Sequence, residues 1–223
     1  MKDWDMHRVA EFYRSTPGKK FVTTVTGAVL FAYVVLHTLG NLQIYFGTRM
    51  LNAYAGLLHS VPGLVWAVRF VIALSGTLHV VAAVQLTIRN WGSRPIRYMV
   101  QRYREADWAG RTMIWSGTGV AAFAVYHVLH LALGSVHPDF VPGDVYHNVM
   151  AGLLVLPVSI IYIAAVVLLG LHLYHGLWSF FQTLGWSHPL YDSWRRAFAT
   201  AFAVGVVAGN VSIPVTVLLR LIS

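Results

Sequence analysis

This 223-residue chain carries eleven histidines and no cysteine. His37, His79, His127, His130, His172 and His175 all lie inside long apolar runs. An imidazole in hydrocarbon costs free energy unless something binds it, so each of these rings marks a candidate functional position. The absence of cysteine removes disulfides, thiolate metal ligands, iron-sulfur ligation within the chain and thioether attachment of a c-type haem. Any metal held here must be held through histidine.

The elements that carry these rings follow from composition. Hydrophobic residues make up 57% of the chain and charged residues only 11%, where a soluble domain carries about 25%. Five stretches are long enough to cross a hydrocarbon core of about 30 Å: 21 to 46, 63 to 88, 112 to 135, 149 to 182 and 197 to 219. The expected fold is therefore all-α, an integral membrane bundle of five transmembrane helices in one domain spanning residues 1–223. The first run starts too late and runs too long for a cleaved signal peptide and is read as retained. No internal repeat is evident. Pro62-Gly63, Pro95, His137-Pro138, Pro142-Gly143 and His188-Pro189 mark the connections.

The net charge of +8 does not indicate nucleic acid, because the basic residues sit in short segments between apolar runs. Lys2, Arg8, Arg14, Lys19 and Lys20 precede the first run; Arg89, Arg94, Arg97, Arg102, Arg104 and Arg111 surround the second connection; Arg195 and Arg196 lie in the fourth. Only Arg49 and Arg220 fall on the opposite side, so the positive-inside rule puts the N-terminus in the cytoplasm and the C-terminus outside. Arg69, near the start of the second run, is expected to snorkel to the interface or to pair with an anionic cofactor group.

Depth orders the histidines. His37 lies 17 residues past Lys20 and His127 lies 16 past Arg111, which puts both about 25 Å from the cytoplasmic edge. His79 precedes Arg89, and His172 precedes Gln182, by 10 residues each, which puts both about 15 Å from that edge. Two levels, each with histidines from non-consecutive helices, suit two stacked haems with an imidazole on each face of each iron. A zinc site would gather three or four ligands at one level, and a proton relay needs no matched pairs. Gly27, Gly76, Gly117, Gly119 and Gly170 offer room for a macrocycle, or simply close helix packing. Within each doublet spacing alone leaves the choice open: His127 and His130 share a face, as do His172 and His175, with depth favouring His172 slightly.

The segments GKKFVTTVTGAVLFAYVVLHTLGNLQIYFG, TLHVVAAVQL, FAVYHVLHLALG, DVYHNVMAGL and LHLYHGLWSF resemble the five-helix, two-haem cytochrome b subunit of succinate:quinone oxidoreductases and quinol:fumarate reductases. The resemblance runs from about residue 18 to the end of the fourth helix. It implies His37 and His127 as axial ligands of an outer haem b and His79 and His172 as those of an inner one, enclosed by the first four helices, with His130 and His175 as neighbours. It further implies a bacterial cytoplasmic-membrane anchor for a flavoprotein with FAD and an iron-sulfur protein. Electrons would pass between that protein and a quinone, usually menaquinone, and the dicarboxylate chemistry would lie on a partner subunit. The basic loop from Arg89 to Arg111, with Trp91, Tyr98, Tyr103 and Trp108 interleaved, suits docking of the iron-sulfur protein or attraction to inner-leaflet lipid.

One departure stands out. The family often places a carboxylate near the outer ends of the first two helices, and residues 48 to 63 contain none. His59 is the titratable group there and is the candidate proton carrier at an outer quinone site. The rival readings are a two-haem b subunit of another quinone-linked oxidoreductase and a histidine-lined proton or ion transporter.

Overall fold

The computed structural model of the chain describes residues 2–92, 112–186 and 188–222. Ser15 sets the entry of the first span: its backbone is extended, its hydroxyl accepts from Gly18 N–H at 3.0 Å, and Pro17 occupies the first turn. The amphipathic helix α1 (Lys2–Arg14) therefore stops and α2 (Thr16–Asn41) begins. Inside α2, Thr23 and Thr26 donate their hydroxyls to carbonyls one turn back, at 2.9 and 2.7 Å, so neither is an unmet donor in the membrane. The helix tightens into a 3-10 turn at Leu42–Phe46, and Gly47, at φ 84°, releases the chain into the short helix α3 (Thr48–Ser60).

The remaining elements are α4 (Leu64–Gly92), α5 (Met113–His127) with a π-helical turn at Val128–Ala132, α6 (Val145–Leu153), α7 (Leu156–Thr183) and α8 (Pro189–Leu218). Among the described residues five helical segments are long and apolar enough to span a membrane: Thr16–Phe46, Leu64–Gly92, Met113–Ala132, Leu156–Thr183 and Pro189–Leu218. The expected all-α membrane bundle is the fold observed. Its boundaries shift where backbone chemistry outweighs hydropathy. The fourth run, expected from 149, is broken at Leu154–Val155 because Pro157 must sit in a first helical turn and Val155 before it is extended. The fifth helix starts at Pro189, not 197, because His188 and the following proline supply a start signal. Arg94, Arg97, Arg102, Arg104 and Arg111, with Pro95, Tyr98, Tyr103 and Trp108, lie outside the described residues.

The element order contains a repetition where the sequence reading expects none. A long helix, a distorted turn, a short helix and a second long helix occur twice, as α2 to α4 and as α5 to α7, before α8 closes the chain. Within each copy the long helices pack on each other, α2 on α4 and α5 on α7. Among the described residues α2 meets α7 more lightly, α4 barely approaches α5 or α7, and α8 lies along α7 and against α2. Asn210 of α8 secures that last contact, donating to Thr38 Oγ1 at 2.8 Å while Asn41 donates to it. Most of α4 faces outward, with Ser75 and Ala82 its buried residues, as expected for a helix bathed in lipid.

The two short helices meet at one end and close it. Asn52 of α3 donates to Asp144 at 2.9 Å and accepts from Tyr146 N–H at 3.0 Å, while Asp144 caps α6 through His147 N–H at 3.0 Å. Beneath them Ile44, Leu51, Tyr146, Leu153, Tyr162, Ile213 and Val217 form a buried cluster. This is the capped end. Lys19, Lys20, Arg89, Arg195 and Arg196 gather at the opposite, basic end, where Arg89 donates to Thr16 Oγ1 at 3.1 Å. The His147 N–H first and Asn52 second hold the Asp144 carboxyl below its ordinary value of 3.8. A depressed carboxylate stabilises fully above the unfolded value and loses that effect as pH falls through the folded one. Asp144→Ala should therefore lower stability in detergent by about 1 kcal/mol near neutral pH, and its thermal-unfolding gap from the unsubstituted chain should narrow below pH 3.8.

Candidate functional site

Each helix pair presents one ring near the capped end and one nearer the basic end. His37 on α2 and His127 on α5 face each other with ring centroids 5.7 Å apart and planes at 85°. His79 on α4 and His172 on α7 do the same at 6.2 Å and 65°. These are the pairings expected from depth. Both join residues on helices that scarcely touch through their backbones.

The repeat explains why the pairs match. Thr26-Gly27 in α2 is followed by Tyr33 and His37, and Ser116-Gly117 in α5 by Phe123 and His127, at identical spacings. Tyr33 stacks on His37 at 5.3 Å and Phe123 tilts against His127 at 5.7 Å. A Cβ on Gly27 would stand 3.2 Å from His79 Cε1, and one on Gly117 would stand 3.1 Å from His172 Cε1. Each of these glycines therefore makes room for the imidazole of its partner helix. Gly76 faces open space, Gly119 meets Leu168 and Gly170 meets Val207, so those three do not line a histidine pair. Mates in the repeat face each other at both levels, His37 with His127 and His79 with His172.

Hydrogen bonds orient the rings. His79 Nδ1 lies 3.1 Å from Thr23 O and 3.2 Å from Thr26 Oγ1. A carbonyl can only accept, so Nδ1 carries the proton and the neutral ring keeps its lone pair on Nε2. His172 Nδ1 makes the corresponding, longer contact of 3.5 Å with Ser116 Oγ, whose own proton goes to Met113 O. His127 Nδ1 meets Tyr162 Oη at 3.3 Å. Such outer partners set the tautomer that a metal-binding imidazole needs. Two axial imidazoles with metal–nitrogen bonds of about 2 Å hold their ring centroids roughly 6 Å apart, which the observed separations fit. Among the described residues no three histidine, cysteine or acidic side chains converge to hold a bare ion. The pairs therefore suit a metal that brings its own equatorial ligands, which is what a haem does.

The doublets separate cleanly. His130 turns away from His37 and is fully buried, stacked between Tyr126 at 5.5 Å and His137 at 4.8 Å and bonded to Tyr162 at 2.9 Å. Its Nε2 is buried with no hydrogen-bond partner in the structure. Gly152 of α6 makes space for it: a Cβ there would lie 2.9 Å from both His130 Nε2 and His137 Nε2. His137 in turn donates from Nε2 to Asn148 O at 2.7 Å. His175 lies close enough to act electrostatically on His172 but outside the facing pair.

Arg69 is exposed, its guanidinium over Trp66 at 5.1 Å, and its charge reaches Tyr33, the ring stacked on His37. His59 ends α3 as an exposed residue with Nδ1 2.8 Å from Ala55 O. The acidic residue that the first connection lacks is supplied spatially by Asp144 from the third. That carboxylate is held ionised by its cap and serves structure. Trp91 is exposed at the end of α4; the rest of the aromatic loop is outside the described residues.

The fold and site define a class: a multi-pass helical membrane protein with two levels of facing imidazoles, each level built from repeat mates. Comparison with protein-family models, curated proteins and solved structures finds no match to this chain.

Tyr162 is the residue that spacing could not reveal, since it joins His127 and His130 from 32 and more positions away. Tyr162→Phe should strip both rings of their Nδ1 partner and cost about 1–3 kcal/mol, read as a lowered unfolding midpoint at unchanged helix content.

Proposed function

We propose that the chain is the dihaem cytochrome b anchor of a succinate:quinone oxidoreductase or quinol:fumarate reductase. The observation carrying this reading is the pair of facing imidazole couples, 5.7 and 6.2 Å between centroids, each joining two repeat halves. His37 and His127 would hold one haem b and His79 and His172 the other. Bound haem supplies reversible one-electron redox chemistry at each level.

The chain's own contribution is orientation. Thr23 and Thr26 hold Nδ1 of His79 and Ser116 that of His172, which would leave Nε2 of both rings to bind a haem iron, Tyr162 meets Nδ1 of His127, and Gly27 and Gly117 let the inner imidazoles seat against a neighbouring helix. Thr26, which meets His79, and His37 stand eleven residues apart on α2, as do Ser116, which meets His172, and His127 on α5, roughly 16 Å of helix rise where residue counts from the charged ends imply about 10 Å. The two levels form a path across the membrane between a cytoplasmic iron-sulfur partner at the basic end and a quinone, menaquinone in most of this class, towards the capped end. The FAD-bearing partner would carry the dicarboxylate chemistry. Basic residues at one end support a cytoplasmic N-terminus in a bacterial cytoplasmic membrane.

The contact series His127–Tyr162–His130–His137 favours a proton-conducting role in its place, as a transporter would need. It reaches only the capped end, so it serves the half of the bundle around His127 and leaves His79 and His172 unexplained. Haem quantification separates the two. Pyridine haemochromogen assay of the purified chain should give two haem b per polypeptide, and its absence would overturn the proposal. His37→Ala or His127→Ala should lose one haem and keep the other, whereas His175→Ala should keep both.

A further inference from the structure

An apolar groove of about 750 Å³ runs along the outer seam of α7 and α8, open to the membrane and lined by residues including Leu171, Tyr174, Thr200, Val204, Val211 and Val215. Thr200 to Val215 is 15 residues, about 22 Å of helix, more than half of a hydrocarbon core of about 30 Å. The groove is therefore long enough to seat an acyl chain through one leaflet.

Its basic end is charged. One turn back along the same stripe of α8, Thr200 gives way to Arg196, and one turn on along α7 Tyr174 gives way to Trp178. The Trp178 ring carries two guanidinium groups, Arg195 at 4.3 Å and Arg196 at 4.9 Å from its centroid. Arg195 is 2% exposed and paired with Asp192, yet its Nε and Nη1 are buried without a hydrogen-bond partner among the described residues. Arg196 lies on the exposed side. Two like charges on one ring at the edge of a low-dielectric slab require compensation, and Asp192 supplies one negative charge. Trp186 and Trp194, exposed nearby on the connection and on α8, mark headgroup depth.

We infer that the α7–α8 seam binds an anionic phospholipid, its phosphate on Arg196 beside Trp178 and one acyl chain in the groove. The phosphate offsets the second guanidinium charge, and the chain covers apolar surface contributed by both helices. An apolar tail alone would leave the arginines uncompensated; a soluble anion alone would leave the groove without a matching partner.

The test uses the full chain with its bound cofactors, exchanged into detergent with equal amounts of phosphatidylglycerol and phosphatidylcholine and read by native mass spectrometry. Phosphatidylglycerol should be retained over phosphatidylcholine by about fivefold or more, the effect of about 1 kcal/mol per interfacial arginine. Arg196→Gln should abolish the preference. Val204→Trp, which fills the groove from a position 60% exposed, should reduce retention of both lipids, and millimolar inorganic phosphate should not displace the phosphatidylglycerol. Equal retention of the two lipids, an Arg196→Gln chain with its preference intact, or full displacement by phosphate would each overturn the inference. Circular dichroism verifies the fold of both variants, and should Val204→Trp not fold, Arg196→Gln decides alone.

Discussion

A neutral imidazole inside a membrane has a donor nitrogen and an acceptor nitrogen, and hydrocarbon satisfies neither. This chain meets that constraint on one side only. Thr23 and Thr26 take up Nδ1 of His79, Ser116 that of His172 and Tyr162 that of His127. Local features follow from it: threonine and serine hydroxyls that also satisfy their own helices, glycines at the points of ring contact, and aromatic residues packed one turn before His37 and His127. A ring anchored at one nitrogen is presented in a set orientation, which binding to iron would require.

The repeat makes two such rings face each other twice. With α2 and α5 running in one direction and α4 and α7 in the other, a repeat relates His37 to His127 and His79 to His172. Facing rings are therefore mates, and one solution to the packing of a histidine against a neighbouring helix serves both halves. The same logic accounts for the sparse contact between the halves and the close contact within them.

The copies differ where they meet the capped end. Three residues after His37 stands Gly40, against which Tyr54 of α3 packs so closely that a Cβ would lie 2.9 Å from the ring. Three residues after His127 stands His130, for which Gly152 of α6 leaves room. The second half thereby holds a buried imidazole in contact with Tyr162 and His137. Helix α8 adds a further asymmetry, lying along α7 and α2 with no counterpart beside α4 among the described residues.

Hydropathy and charge in the sequence suffice for five spans, the basic end and the two depths, because bilayer thickness and helix rise are fixed lengths that convert residue counts directly into position. Histidine depth likewise makes the pairings of His37 with His127 and of His79 with His172 legible. Periodicity cannot choose between His127 and His130, since both project from one face. That choice is made by a crossing helix, when Tyr162 and Gly152 draw His130 towards α6. The break before Leu156 is readable from proline chemistry but masked by uniform hydropathy, whereas the early start at Pro189 is hidden from hydropathy because Asp192, Arg195 and Arg196 make its first two turns polar. The repeat is carried by few side chains, with Thr26-Gly27 matched by Ser116-Gly117 and residues 52–58, NAYAGLL, matched by residues 148–154, NVMAGLL, and the placing of Gly27 and Gly117 against a partner's imidazole makes it visible in space. Sequence determined which rings lie near which end of the helices; tertiary structure decided which nitrogen of His79, His127 and His172 is anchored, because their hydrogen-bond partners come from other helices.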